Sequence, residues 1–142
     1  MKGTIYMENK RKHLEMIQTI ITRMASNSFA LKGWAVTLVA GLFALSTKDA
    51  NEVYFLIAYI PIIAFWFLDA YYLMQERLYR NLYKKVTTLS EDEIDFSMDA
   101  HSEEFQTEKT TISDCFLSET LRRFYLPLAL VTSGVIIVSV FF

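Results

Sequence analysis

With 142 residues, of which 53% are hydrophobic and 15% aromatic, the chain has room for one domain and is more apolar than ordinary soluble domains, which have about 45–50% apolar residues. Its single cysteine, Cys115, excludes an intrachain disulfide and an all-cysteine metal site, and the wide separation of His13 from His101 argues against zinc, so no metal or cofactor is expected. The formal net charge of −2 carries no information about nucleic-acid binding.

Residues 1–28 are predicted to form a cytosolic amphipathic helix. Its apolar stripe consists of Leu14, Ile17, Ile21 and Met24, which recur at spacings of three and four. No proline or glycine interrupts residues 8–28, and the next glycine is Gly33. The helix therefore either continues straight into the first apolar block or lies along the inner leaflet of a membrane.

Three apolar blocks are each long enough to cross a bilayer as a helix, which takes about 17–25 residues. They are residues 29–47, 53–74 and 124–142. The short loop 48–52 makes the first two antiparallel neighbours, so residues 29–74 are predicted to form a transmembrane hairpin. The first block lacks a small-residue cleavage pattern before a polar chain, so we expect it to be a span and not a signal peptide.

Basic residues predict the orientation of these spans. They precede the first block, follow the second and precede the third, whereas the loop 48–52 has one lysine and two acids. Cytosolic flanks of spans carry an excess of lysine and arginine, so we expect a cytosolic N-terminus and a C-terminus on the opposite side. The predicted fold is an all-α membrane protein with three transmembrane helices, an N-terminal amphipathic helix and a small cytosolic insert, residues 75–123, between the second and third spans.

Two charged residues lie inside the predicted hairpin. Lys32 is about as far before the loop as Asp69 is after it, so the two lie at nearly one depth. An unpaired charge in a span costs about 2.5–3.5 kcal/mol on insertion scales. Three alternatives follow: Lys32 extends to the headgroups while Asp69 caps a local network, the two form a structural latch within or between subunits, or the pair moves when a channel gates.

Small and hydroxyl residues form stripes on two of the spans. Gly33, Thr37 and Gly41 are four apart on the first span and predict close helix packing or a pore lining. Thr132 and Ser139 share a face of the third span. These hydroxyls either face water in an oligomeric pore or bond to carbonyls of their own helix.

The insert contains several local signals. Residues 75–86 are predicted to prolong the second span as a helix, and Ser90 with Glu93 has the spacing of a capping box. Alternating apolar residues in 94–100 predict a short strand or an extended arm. The remainder is predicted as a solvated loop, residues 102–111, followed by a helix, residues 113–123.

A set of basic residues lies at the cytosolic ends of the spans. It comprises Arg77, Arg80, Lys84, Lys85, Arg122 and Arg123. In an oligomer these residues would form a ring that attracts phosphates. The alternative is that they follow the topology rule and meet anionic lipid.

No catalytic motif is present in the sequence: neither a glycine-rich phosphate loop, nor a nucleophile elbow, nor a metalloprotease motif, so we expect no enzyme. Four strings nevertheless resemble a group of small bacterial membrane proteins. They are residues 29–41 (FALKGWAVTLVAG), 65–73 (FWFLDAYYL), 76–83 (ERLYRNLY) and 124–128 (FYLPL).

This design is similar to the membrane effectors of nucleotidyltransferase-linked anti-phage systems such as CBASS, Pycsar and Hailong. The resemblance implies an inner-membrane homo-oligomer, with a tetramer as the first guess, that acts as an ion channel opened by a nucleotide or oligonucleotide from a partner enzyme. The alternatives are a non-conducting scaffold that anchors a soluble partner through residues 91–119, and a transporter subunit that uses Asp69.

Overall fold

The structure is a computed structural model that describes residues 2–45 and 57–141, with side chains described for residues 7–45 and 57–138. The helices are α1 (Lys2–Leu45), α2 (Tyr59–Thr88), α3 (Ile112–Phe116) and α4 (Glu119–Phe141), with 3-10 turns at Glu91–Glu93, Glu103–Phe105 and Glu108–Thr110. The regular elements in the described ranges are all helical, with no strand, which agrees with the all-α part of the predicted class. The predicted loop 48–52, the start of the second block and the side chain of Ser139 lie outside the described residues.

The first helix is continuous over its whole length. At 1.5 Å per residue, the 44 residues of α1 extend about 66 Å, roughly twice the thickness of a bilayer core. It contains no proline to stop it. Of the two alternatives for the amphipathic segment, the structure therefore shows the straight continuation into the apolar block.

The second helix runs antiparallel to the first and is equally uninterrupted as far as Thr88, so the predicted helical extension over residues 75–86 is confirmed. Pro61 lies in its first turn, where the missing N–H removes no helical hydrogen bond. At the other end, the ammonium of Lys10 on α1 donates to the carbonyl of Leu89 at 2.7 Å and to that of Thr87 at 3.4 Å. A cation satisfies the last carbonyls of a helix in this way and opposes the negative end of its dipole.

A first apolar core joins the N-terminal half of α1, the C-terminal half of α2 and the connecting segment, residues 89–111, which lies between α2 and α3. Its buried members are Ile17, Ile21, Leu78, Leu82, Val86, Ala100 and Phe105. The stripe on α1 that contains Ile17 and Ile21 therefore packs against protein, because the segment after α2 folds back over the two helices.

A second core lies where α4 packs on the hairpin. Its buried members are Ala35, Val39, Ile62, Ala70, Cys115, Leu121 and Tyr125. Pro127 sits inside α4, which continues without a break to Phe141. The proline removes the hydrogen bond to the carbonyl of Arg123, one turn earlier.

Of the two alternatives predicted for residues 94–100, a short strand or an extended arm, the strand is wrong. Backbone N–H groups there bond to nearby side chains: Ser97 to Asp95, Asp99 to Ser97, and His101 to Asp99, at 2.9–3.2 Å. Short polar side chains that capture the backbone two residues on compete with strand pairing. Phe96, at φ 55°, further breaks the alternation, so the segment is an irregular extended arm.

Among the residues that the structure describes, two helices are long and apolar enough to cross a membrane: Met7–Leu45 within α1 and Glu119–Val138 within α4. Only 11% and 17% of the residues in their most apolar windows are buried inside the protein. The core helix of a soluble protein is mostly covered by its own chain, and these two helices are not.

Candidate functional site

A buried polar network lies where α1, α2 and α4 meet. Asp69 on α2 is fully buried, and its carboxylate accepts from the ammonium of Lys32 at 2.5 Å and from the hydroxyl of Tyr125 at 3.1 Å. Ser28 donates to the other carboxylate oxygen and accepts from Lys32 at 2.8 Å. One buried carboxylate therefore holds three helical side chains from two other helices.

Lys32 is partly buried, with 18% of its side chain exposed. Its ammonium also lies 6.0 Å from the ring centre of Phe124. A cation in this position is bound to protein groups and does not depend on headgroups for compensation. Of the alternatives that the sequence left open, the structure shows an ion pair between Lys32 and Asp69 of the same chain.

Aromatic stacking fixes the Tyr125 side of the network. Trp66 stacks on Tyr125 and on Phe116, with ring centres 5.5 Å and 4.5 Å apart. Its indole N–H donates to the carbonyl of Phe116 at 2.9 Å. These contacts tie the short helix α3 to α2 and α4 and set the ring plane of Tyr125.

The glycine stripe on α1 lies on the side of the helix opposite its buried residues. Gly33, Thr37 and Gly41 are exposed, and a Cβ added at either glycine would meet nothing within 4 Å. Ala35 and Val39, on the other side, are buried against α2 and α4. Within the part of the chain that the structure describes, the small residues therefore do not mediate close packing.

The hydroxyl residues bond to their own helices. Thr132 is fully buried and donates to the carbonyl of Leu128 at 2.8 Å, and exposed Thr37 donates to that of Gly33 at 2.9 Å. For Thr132, the structure thus shows the carbonyl-bonded alternative.

The six basic residues do not form one group. Arg77 is bound to Asp114 at 2.6 Å and to the carbonyl of Lys109 at 2.5 Å. Lys85 is bound to Glu104 at 2.6 Å. Arg80 and Arg123 pair with the acids one turn before them, Glu76 and Glu119. Lys84 is exposed on α2, and Arg122 is exposed on α4.

Arg77, Arg80 and Lys84 line an open cleft of about 580 Å³ between α2 and the connecting segment. The opposite wall is the 3-10 turn Glu108–Thr110, which brings Lys109 to the same cleft. Sequence reasoning did not include Lys109, because no periodic pattern connects residue 109 with α2.

Sequence reasoning also missed the role of His13. Its ring is 3% exposed and its Nε2 lies 3.0 Å from the carbonyl of Ser97, so Nε2 carries the proton and donates. Phe96 packs on the ring at 5.6 Å between centres. The position of His13 next to the apolar stripe of α1 was the available signal for burial.

Cys115 is fully buried beside the guanidinium of Arg77, at 3.5 Å from Sγ. Burial raises the pKa of the Cys115 thiol, and the nearby Arg77 charge only partly opposes this shift. The thiol is therefore a packing group that resists ionisation. Within the described residues, no cluster of histidine, cysteine and carboxylate side chains is arranged to hold a metal ion.

No family model, curated protein or solved structure matches the chain. The fold and the uncovered helices therefore define the class directly: an all-helical protein with two helices able to span a membrane, a buried polar network at the helix junction and a polar insert. The resemblance to anti-phage membrane effectors stays a prediction.

Proposed function

We propose that the chain is an integral membrane protein that crosses the bilayer three times, with residues 1–28 and 75–123 in the cytosol and the C-terminus outside. The exposure of large apolar side chains on all three long helices carries this proposal. Examples are Trp34, Leu38 and Leu45 on α1, Ile60, Ile63 and Phe67 on α2, and Leu130, Val131 and Ile137 on α4. Soluble monomers rarely expose apolar patches beyond a few hundred Å², and a lipid bilayer covers such a surface.

We further propose that several copies assemble through the α1 stripe. The space between the three helices of one chain is filled by Ile62, Tyr125 and Thr132, each fully buried. An ion path would therefore lie between protomers. Gly33 and Gly41 are open to the outside, and small residues at this spacing let helix backbones of neighbouring chains approach closely in lipid.

The function that follows is a homo-oligomeric inner-membrane effector, an ion channel opened by a nucleotide or oligonucleotide signal in bacterial anti-phage defence. The exposed apolar side chains and the open glycine stripe support membrane insertion and assembly. The cleft lined by Arg77, Arg80 and Lys84 supports recognition of a nucleotide signal. The defence role rests on the resemblance of the four sequence strings. A tetramer is the working stoichiometry.

Reconstitution tests this proposal. Purified full-length protein in liposomes loaded with a fluorescent ion indicator is exposed separately to linear oligoadenylates and to cyclic dinucleotides. We expect one of these nucleotides to start ion leakage. Gly41→Leu, which places bulk on the stripe, should abolish leakage and reduce the oligomer, whereas Leu38→Phe, elsewhere on the exposed surface of α1, should behave as wild type. Tight liposomes with every nucleotide, together with monomeric wild-type protein, would exclude the channel.

One observation favours a scaffold as the second candidate. The insert exposes acidic side chains, among them Asp92, Glu93, Asp95 and Asp99. Such a surface suits a basic soluble partner. The scaffold predicts stable capture of a soluble protein that is lost when these acids are changed to amides, and no loss of membrane potential on overexpression. The channel predicts the reverse on both readouts.

A further inference from the structure

The basic side chains of the insert differ in whether an acidic side chain already pairs with them. Lys84 and Lys109, on opposite walls of the cleft, have no ion-pair partner within the part of the chain that the structure describes. Arg77 and Arg80, which also line the cleft, are held by Asp114 and Glu76. The cleft therefore presents two unpaired ammonium groups beside two oriented guanidinium groups, together with one lining carboxylate, that of Glu108.

The cleft is held open by bonds between its walls. Arg77 donates to the carbonyl of Lys109 at 2.5 Å, and the amide of Asn81 donates to that of Phe105 at 2.9 Å. Thr110 closes its own turn by donating to the carbonyl of Thr107 at 2.8 Å. A wall fixed in this way requires little ordering when a ligand binds. The volume of about 580 Å³ lies within the usual range for small-molecule sites, about 300–1,000 Å³.

The outer part of the cleft lies beyond the headgroup layer, given the proposed three-span topology. The second predicted span ends at residue 74, which places the inner hydrocarbon boundary of α2 there. At 1.5 Å per residue, the α2 backbone lies about 4–5 Å beyond that boundary at Arg77 and about 15 Å beyond it at Lys84. A headgroup layer is about 5–7 Å thick on each side, so Arg77 lies within this layer and Lys84 lies outside it. Arg122 and Arg123, one or two residues before the third apolar block, also lie within the layer.

We infer that this cleft, walled by α2 and the turn Glu108–Thr110, binds a soluble phosphorylated small molecule and not a lipid headgroup. Lys84 and Lys109 contact the phosphate directly, Arg80 lies at its rim, and Arg77 positions the Lys109 wall. Ammonium and guanidinium groups converging from separate elements suit the charge of a phosphate. Arg122 and Arg123 form a separate set that meets anionic headgroups. The inference deepens the proposed function, on whose topology it rests.

Binding of inorganic pyrophosphate tests the inference. Full-length protein in nanodiscs of phosphatidylcholine alone is titrated with pyrophosphate by calorimetry, and the stabilising effect of phosphatidylglycerol is measured as a shift in unfolding temperature. The variants are K84Q/K109Q and the matched control R122Q/R123Q, which removes the same charge from the headgroup layer. K84R/K109R retains the charge and reports whether the cleft is intact.

We expect wild type, R122Q/R123Q and K84R/K109R to bind pyrophosphate, and K84Q/K109Q to bind at least about tenfold more weakly, as expected for two lost charge-assisted contacts. The phosphatidylglycerol shift should be lost in R122Q/R123Q and kept in K84Q/K109Q. Absence of binding by wild type, or equal loss in both glutamine variants, would overturn the inference. This assay does not measure conduction, so the two proposals can fail separately. Pyrophosphate binding by a protein that never conducts ions would exclude the channel and would still support the phosphate site in the cleft.

Discussion

The carboxylate of Asp69 lies 2.5 Å from the ammonium of Lys32, on the helix that precedes it in the hairpin, and Asp69 is fully buried. Ser28 and Tyr125 supply the remaining donors to this carboxylate. The network thereby sets the register of α1 against α2 and the docking of α4 on both. A shift of one helix by a single turn would leave the charge of Asp69 buried without a partner.

Removal of the cation should destabilise the protein strongly. In Lys32→Met, the Asp69 carboxylate stays buried without its opposite charge, which costs about 3–5 kcal/mol in comparable buried pairs. The measurement is reversible unfolding in detergent micelles, followed by tryptophan fluorescence.

The control for Lys32→Met is the double variant K32M/D69L, which removes both charges and should regain much of the lost stability. Glu119→Gln breaks the exposed pair with Arg123 and should change stability by no more than about 1 kcal/mol. A Lys32→Met protein as stable as wild type would show that the pair does not hold the hairpin.

Loss of the Tyr125 hydroxyl should have a smaller effect of the same sign. Tyr125→Phe keeps the stacking on Trp66 but removes the donor to Asp69, which costs about 1–3 kcal/mol for a buried acceptor left short of a partner. Tyr71→Phe, on the exposed side of α2, serves as the control and should be neutral. Equal stability of the two variants in the same unfolding assay would contradict the role assigned to Tyr125.

Cys115 should resist thiol reagents in the folded protein. Burial raises the pKa of its thiol, so the reactive thiolate forms only at higher pH than in the unfolded chain. The pH–rate profile of iodoacetamide labelling should therefore lie at higher pH for native than for denatured protein. By linkage, the contribution of this thiol to stability is lost as pH rises through its folded pKa. The variant C115S/S113C, with an exposed cysteine two positions earlier, should label rapidly in the native state.

The capping turn makes a prediction about pH. Hydrogen bonds from the hydroxyl and backbone N–H of Ser90, at 2.7 Å and 3.0 Å, lower the pKa of the Glu93 carboxyl. The contribution of the turn is present above the ordinary carboxyl pKa and is lost as pH falls through the lowered value. In Ser90→Ala, the pKa of Glu93 should rise towards its ordinary value in an NMR titration, and Ser90→Thr should keep it low. An unchanged pKa in Ser90→Ala would remove the capping explanation.

The sequence predicted which residues of the two hairpin helices lie at the same level along the helices, but not how each helix is rotated about its own axis. Counting outward from the interhelical loop put Lys32 opposite Asp69, and the two are in contact. The same counting did not reveal Ser28 or Tyr125, because a contact between helices depends on how each is rotated about its axis. For the same reason the sequence did not predict that Gly33 and Gly41 are exposed. Their spacing shows that they share one face of α1, but it does not show which part of the protein, if any, that face contacts.

The insert was predicted in part. The Ser90–Glu93 capping box is confirmed, because it depends only on neighbouring residues. The strand in 94–100 failed, since alternation of apolar residues does not take account of Asp95, Ser97 and Asp99 capturing the backbone locally. The contact of that arm with His13 links residues more than 80 positions apart, beyond the reach of any local pattern.

Paired reporter fusions to the full-length chain test whether the protein crosses the membrane three times with its two ends on opposite sides. Green fluorescent protein should fluoresce at the N-terminus and alkaline phosphatase should be active at the C-terminus, with the protein retained in carbonate-washed membranes. A fluorescent protein that matures at the C-terminus while phosphatase there is inactive, or recovery of the chain in the soluble fraction without detergent, would contradict the account.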